Sequence, residues 1–116
     1  MNYVDGFVLA VPTANRAAYQ KVAEDAAIVF KEYGALKVVE CWGDDVPDGK
    51  LTSFPMAVKC EENETVVFSW IVWPSREIRD EGNQKVMADP RMQQAEEMPF
   101  DDKRLIYGGF EVIVES

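Results

Sequence analysis

The sequence predicts an α+β fold in which a strand–helix–strand unit occurs twice. Three observations favour it: two runs rich in β-branched and aromatic residues, an amphipathic helix after each run, and a further strand-like segment that closes each half. A chain of 116 residues has the length of one domain, which we expect to span residues 1–116. Two such halves are typical of a ferredoxin-like βαββαβ sandwich.

The first half contains a strand, a helix and a second strand. Residues 3–11 form an apolar run with strand character. A helix over 14–33 is predicted because apolar residues recur three or four positions apart, and Thr13 is placed to cap its start. Gly34 suits the left-handed position just past the helix end, and residues 36–42 form the second strand.

An insertion separates the two halves. Residues 43–49 are dense in turn formers, and Ser53 followed by Pro55 predicts a short helix over 53–58. The three aspartates of the loop resemble a cation site only superficially. Because Val46 stands where a calcium loop requires an oxygen ligand, we expect a polar turn there and no metal.

The second half repeats the pattern of the first. Its elements are a strand at 65–73, a helix at 75–88 begun by Ser75, a short helical continuation from Asp89 through Met98, and a closing strand at 106–114. The Gly108-Gly109 pair within the closing strand indicates either a bulge or a close approach of another backbone.

The first and third strands are apolar on both faces. Helices cover only one face of the sheet in a ferredoxin-like sandwich, so strands of that sheet normally alternate between apolar and polar residues. Strands 3–11 and 65–73 depart from that alternation. We therefore expect the same face of a second copy to cover the open side, which makes the protein a homodimer.

Composition excludes several classes of function. The chain carries 12 basic and 21 acidic residues, a net charge of −9, and its basic residues are scattered. Such a chain is a poor partner for nucleic acid. It contains no histidine, which removes Ser-His-Asp triads and histidine-based metal sites, and we expect no cofactor.

The start of the chain and its apolar stretches predict a cytoplasmic protein. Residues 1–5 lack the basic region of a signal peptide, and no apolar run approaches the ~18 residues that span a membrane. We thus expect no membrane partner. Cys41 and Cys60 are then reduced, and we expect both thiols to be unreactive.

Several longer motifs resemble the YbaA-like bacterial family of unknown function. They are Tyr3-Val4-Asp5-Gly6-Phe7, the run from Phe68 through Arg76, Arg79-Asp80, Asn83, Lys85-Val86-Met87, Asp89-Pro90-Arg91-Met92, Met98-Pro99-Phe100-Asp101 and Ile106-Tyr107-Gly108-Gly109-Phe110. The resemblance covers essentially the whole chain. It implies a dimeric α/β-barrel of the ferredoxin-like kind and no established activity. A label linking some members to signal-recognition-particle RNA gains no support from the charge of this chain.

One cluster of polar and aromatic residues is a candidate ligand site. Arg76, Arg79 and Asn83 share a face of the second helix, and Trp73 lies just before it. Donors beside an aromatic ring suit a small anionic or carbonyl-bearing ligand. With aromatics of neighbouring strands, the candidate ligand-binding residues are Trp70, Trp73, Arg76, Arg79, Asn83 and Tyr107. The alternative is a solvated helix face with weak ion pairs, and aromatics that only pack a core or interface.

Two functions are compatible with these features. The first is a homodimeric small-molecule-binding protein or cofactor-independent enzyme with an aromatic-lined pocket. The second is a non-catalytic dimeric scaffold or regulatory module. Without a histidine or a matched nucleophile–base pair, the sequence assigns no catalytic residue.

Overall fold

The computed structural model describes residues 2–93 and 98–116. In chain order its helices and strands are β1 (Tyr3–Pro12), α1 (Arg16–Glu32), β2 (Lys37–Trp42), α2 (Phe54–Ala57), β3 (Glu64–Trp73), α3 (Arg76–Ala88) and β4 (Ile106–Glu111). Short 3-10 turns occupy Thr13–Asn15, Pro90–Met92 and Asp102–Arg104. The α+β class and the order of its main elements follow the sequence prediction.

The four strands form one antiparallel sheet in the order β2-β3-β1-β4. The two long central strands pair along their whole length, from Tyr3 opposite Trp73 to Pro12 opposite Glu64. This order is compatible with a ferredoxin-like sandwich. Helices α1 and α3 pack on one face of the sheet, and the other face lacks helical cover along most of its length.

Alternation along the central strands decides which side chains enter the core. The odd-numbered residues of β1 and β3 face the helices, and most of them are buried. Trp73 is fully buried against Phe30 of α1. Gly82 of α3 lies so close that a Cβ atom would overlap the Trp73 ring. Only glycine therefore lets α3 approach the end of β3 this closely.

The structure corrects the predicted start of the first helix. Thr13 begins a 3-10 turn, and its hydroxyl hydrogen-bonds the Thr65 hydroxyl at 2.7 Å rather than capping α1, which begins at Arg16. The neighbouring strand offered Thr13 a tertiary partner that the local pattern does not show. Gly34 has a φ of 114°, as its place after the helix predicted.

Helix α2 of the insertion and helix α3 of the second half begin as predicted. Ser53 accepts a hydrogen bond from the Met56 amide and Ser75 accepts one from the Ile78 amide, so both act as helix caps. Residues next to α2 cover one end of the otherwise open sheet face, where Val58 packs with Ala10 and Val66. The remainder of that face stays uncovered.

The last part of the chain differs from the prediction in two places. Strand β4 ends at Glu111 rather than at residue 114, because its partner β1 begins at Tyr3, which lies opposite Glu111. Past that pair, the Val112 amide donates to the Asn2 carbonyl. Asp89 caps the short Pro90–Met92 turn through the Arg91 amide. The remainder of the predicted continuation includes residues 94–97, which lie outside the described residues.

Candidate functional site

A buried carboxylate, Asp5, gathers three of the six predicted ligand-binding residues. The Trp73 indole nitrogen donates to it at 3.1 Å and the Asn83 amide at 3.3 Å. Arg79 donates from Nε and Nη2 to Oδ1, each at 2.9 Å. Asp5 is 4% exposed, so its charge is held inside the protein by these donors.

The elements around Asp5 explain why these residues meet. Asp5 lies at an inward position of β1, next to β3, whose last residue is Trp73. Helix α3 follows at once and places Arg79 and Asn83, four positions apart, on the face that points to Asp5. On the other side, β4 approaches through Gly109, where a Cβ would overlap the Tyr3 and Arg79 side chains. The pair Gly108-Gly109 keeps regular register with β1, and side chains rather than the predicted backbone lie close to Gly109.

The other three predicted residues lie elsewhere. Arg76 is exposed and contacts Asp80 at 3.7 Å. Trp70 lies on the open face of the sheet, next to Phe68. Tyr107 is on the helix-facing side of the edge strand, stacked beside Phe7 and largely exposed. A ligand-binding role for the six residues stays a prediction, and the structure unites only Trp73, Arg79 and Asn83.

The sequence reading missed Asp5 itself. The signal was present, because Asp5 is the single charged residue of an otherwise apolar strand. Because side chains of a strand alternate between its two faces, Asp5 shares a face with Tyr3 and Phe7. That face points to the core, where an ionised group requires a partner. Hydrogen bonds from Arg79 to Asp5 and Asp80 raise the pKa of that guanidinium, so it stays charged at every relevant pH.

Two further carboxylates are neutralised in the same way. Glu64 forms a two-pronged pair with Arg104, with both distances at 2.7 Å. Asp89 accepts from Arg91 and from the Tyr33 hydroxyl, and these bonds hold the pKa of Asp89 well below its usual range. Such bidentate and charge-assisted contacts connect loops to the sheet and helices.

A cleft between α1 and β2, here called the α1–β2 cleft, holds a different kind of carboxylate. Its volume is about 430 Å³, and its walls include Arg16, Tyr19, Ala23, Ala27, Glu40 and Trp42. An inner cavity of about 150 Å³ adjoins it beneath α1 and shares Tyr19, Ala27 and Glu40. The space exists because α1 faces this part of the sheet with alanines rather than with large side chains.

The polar centre of the cleft is a phenol–carboxylate pair. The buried Tyr19 hydroxyl donates to Glu40 Oε1 at 2.6 Å. Glu40 as a residue is exposed, but desolvation of its carboxyl next to Tyr19 raises its pKa, and hydrogen bonds from Tyr19 and Ser69 hold back part of that rise. Burial and the neighbouring carboxylate raise the pKa of Tyr19 above its usual range, so the phenol stays a donor. Glu40 was not among the predicted site residues.

The described residues offer little to a metal ion or to thiol chemistry. No group of three or more histidine, cysteine, aspartate or glutamate side chains within 2–93 and 98–116 is arranged to hold a metal. Cys41 and Cys60 are half-buried thiols, and burial raises the pKa of Cys60, which disfavours the reactive thiolate. No helix in the described ranges is long and apolar enough to cross a membrane.

These features define a small α+β protein with several arginine–carboxylate pairs and a polar cleft between α1 and β2. A family model described as "Protein of unknown function (DUF1428)" matches residues 2–102. The chain is also 64% identical to "Uncharacterized protein YbaA" of Escherichia coli K12 and to its namesake from Shigella flexneri, over the full length of each. The chain therefore belongs to this family of unknown function, as its motifs predicted.

Proposed function

We propose that the protein is a homodimeric small-molecule-binding protein of the cytoplasm, built from one ferredoxin-like domain. The observation that carries the proposal is the α1–β2 cleft, in which a carboxylate and a phenol face a space of about 430 Å³. Clefts of ~300–1,000 Å³ with a few convergent polar groups are the usual ligand sites of proteins.

The open face of the sheet supports the dimer. Four of its large apolar side chains are exposed or half-buried: Phe68, Trp70, Ile106 and Phe110. The chain exposes 8053 Å², whereas a compact monomer of this mass exposes about 6,400 Å². The excess on this one chain is about twice the ~800 Å² that each partner buries in a standard interface, so the exposed surface is ample for a second copy of the same face.

Sedimentation equilibrium tests the dimer directly. The wild type is expected at twice 13.1 kDa at micromolar concentration. Phe110→Glu places a charge on the open face and should give monomers. Tyr107→Glu adds the same charge to the opposite face of the same strand and should leave the dimer intact. A monomeric wild type would overturn this part of the proposal.

Native mass spectrometry of protein purified gently from its own cytosol tests ligand binding. The expected result is a discrete small adduct on the dimer. Ala27→Met fills the α1–β2 cleft, because Ala27 lines both the cleft and the inner cavity, and should abolish the adduct. An adduct that persists in Ala27→Met would place the ligand elsewhere, with the Trp73, Arg79 and Asn83 cluster as the next location.

The second candidate is a dimeric scaffold or regulatory module without a ligand. The open sheet face alone supports it, since aromatic side chains on such a face suit an interface as well as a pocket. A clean dimer that carries no adduct and shifts in no small-molecule screen would favour the scaffold over the binding protein.

A further inference from the structure

Three carboxylates with buried side chains are each paired with an arginine, and the more exposed Glu40 is not. Asp5, Glu64 and Asp89 have side chains 6%, 4% and 7% exposed, and each lies within 2.9 Å of an arginine nitrogen. Glu40 is bound by Tyr19 and Ser69, both neutral, and no arginine or lysine among the described residues forms a salt bridge with it. Arginine side chains thus pair with Asp5, Glu64 and Asp89, whereas Glu40, in the wall of the α1–β2 cleft, has no arginine or lysine partner among the described residues.

We propose that the α1–β2 cleft binds a small organic cation, an amine or amidine with a compact apolar body, whose charged group pairs with Glu40. This inference rests on the proposed function and names the class of its ligand. The Tyr19 hydroxyl occupies one position on Oε1, and a carboxylate accepts about four hydrogen bonds, so acceptor positions are left for an ammonium or amidinium group.

Charge in the cleft favours a cation over an anion. Glu24 on α1 adds a second negative charge to the lining, and Arg16 is the single positive lining residue among those described. The Arg16 guanidinium lies over the Trp42 ring, 5.3 Å from its centroid, and forms no salt bridge with Glu40. The lining therefore carries a net negative charge, and an ion pair in a partly enclosed site is stronger than one in water.

The apolar walls set the size of the ligand body. Ala23 and Ala27 line one side of the cleft, and Val38 and Val67 line the sheet side. The inner cavity of about 150 Å³ continues beneath α1 next to Glu40 and is mostly apolar, with Phe30 among its walls. A single ring or a short branched chain fits the space next to Glu40.

Three probes of one shape and different charge test this inference: benzylamine, benzyl alcohol and phenylacetate. Each is titrated into the full-length dimer and followed by proton–nitrogen correlation spectra. Benzylamine should bind at least about tenfold more tightly than the other two, a difference that one charge-assisted pair supplies. The shifted amides should lie in α1 and β2. Equal affinity of the three probes would overturn the cationic class.

Variants place the effect on Glu40. Glu40→Gln keeps the shape and the acceptor for Tyr19, and should remove the preference for benzylamine. Glu62→Gln removes the same charge from an exposed turn outside the cleft and should leave the preference unchanged. If Glu40→Gln binds benzylamine as the wild type does, the pairing is wrong.

The same titrations separate this inference from the function on which it rests. If benzyl alcohol or phenylacetate shifts amides of α1 and β2 and benzylamine gains no advantage, the cleft is a ligand site and the cationic class is wrong. If none of the probes shifts these amides and native protein carries no adduct, both the inference and the binding function fail.

Discussion

Asp5 and Glu40 are two acidic residues on the helix-facing side of one sheet, and they differ in exposure and in partners, since Asp5 is buried and Glu40 is exposed. Asp5 is enclosed by Trp73, Asn83 and the Arg79 guanidinium, which supplies a full positive charge. Glu40 meets two hydroxyl groups and a cleft. The charge of Asp5 is compensated within the protein, and this pairing stabilises the fold. Glu40 retains acceptor positions that a group from outside the chain can use.

The two helices create this difference through the size of the residues that they turn to the sheet. Helix α3 approaches closely because Gly82 lies against Trp73. Helix α1 presents Ala23 and Ala27 near β2, where no large side chain fills the gap. Small residues thus produce tight contact at one end of the sheet and empty space at the other.

The largest expected effect comes from breaking the Asp5 pair. Arg79→Met keeps the apolar stem and leaves Asp5 buried without its cation, so the free energy of unfolding should fall by about 3 kcal/mol. This is the lower end of the range for buried pairs, since the Arg79 side chain is 20% exposed. Urea unfolding followed by tryptophan fluorescence measures the loss.

Two controls belong to that experiment. Arg76→Met removes an exposed arginine from the same helix and should cost no more than about 0.5 kcal/mol. Adding Asp5→Asn to Arg79→Met should recover part of the loss, because the uncompensated charge is gone. Equal losses for Arg76→Met and Arg79→Met would show that the Asp5 cluster is not a structural ion pair.

The next effect compares the packing of the two helices. Gly82→Ala forces a methyl group into the Trp73 ring and should destabilise the protein by about 1–3 kcal/mol. Ala27→Met adds a larger group on the cleft side and should change stability by less than about 1 kcal/mol, since open space receives it. Thermal unfolding of the two variants side by side checks the contrast. A larger loss for Ala27→Met would mean that the cleft is closed in solution.

The smallest expected effect is a difference between Glu40 and Glu64 in how their contributions to stability depend on pH. Desolvation raises the pKa of Glu40 in the folded protein above the ordinary value of 4.5. At pH values between the unfolded-state pKa and the folded-state pKa, the folded protein therefore binds more protons than the unfolded chain. Stability due to Glu40 is therefore lost as pH rises through that window. Glu40→Gln should gain slightly on the wild type over the same rise, and solvent screening of this exposed residue keeps the gain well below about 1 kcal/mol.

Glu64 should behave in the opposite way. Its bonds to Arg104 lower the pKa of the Glu64 carboxyl, so its contribution is present above the unfolded value and is lost as pH falls through the folded one. Glu64→Gln should thus be less stable than the wild type at neutral pH and approach it in acid. Urea unfolding across the acid range compares the two variants, and parallel curves would contradict the distinction.

Local pattern was sufficient to predict the elements of the fold but not their chemical contacts. The spacing of apolar residues in 14–33 and 75–88 depends on near neighbours, and so does the capping of α2 and α3 by Ser53 and Ser75. Thr13 failed as a cap because a residue 52 positions away took its hydroxyl. A sequence pattern holds no information about such a partner.

The candidate site shows the same division. Trp73, Arg79 and Asn83 belong to one short segment of chain, and the structure brings them together at Asp5, whereas Arg76 of the same segment is exposed. Their target, Asp5, lies 74 positions before Arg79, and only the pairing of β1 with β3 brings it there. Trp70 and Tyr107 were grouped with them by residue type, and the alternation of each strand sends them to other surfaces.

The sequence by itself determined where the strands and helices lie, which of them are apolar on both faces, and which chemistry a chain without histidine lacks, since each of these depends on residue type and short-range periodicity. Tertiary structure alone decided that Asp5 is neutralised and that Glu40 opens into a cleft. The reason is physical: strand register and helix packing decide how far a charged side chain is buried and which distant groups come within about 3 Å of it.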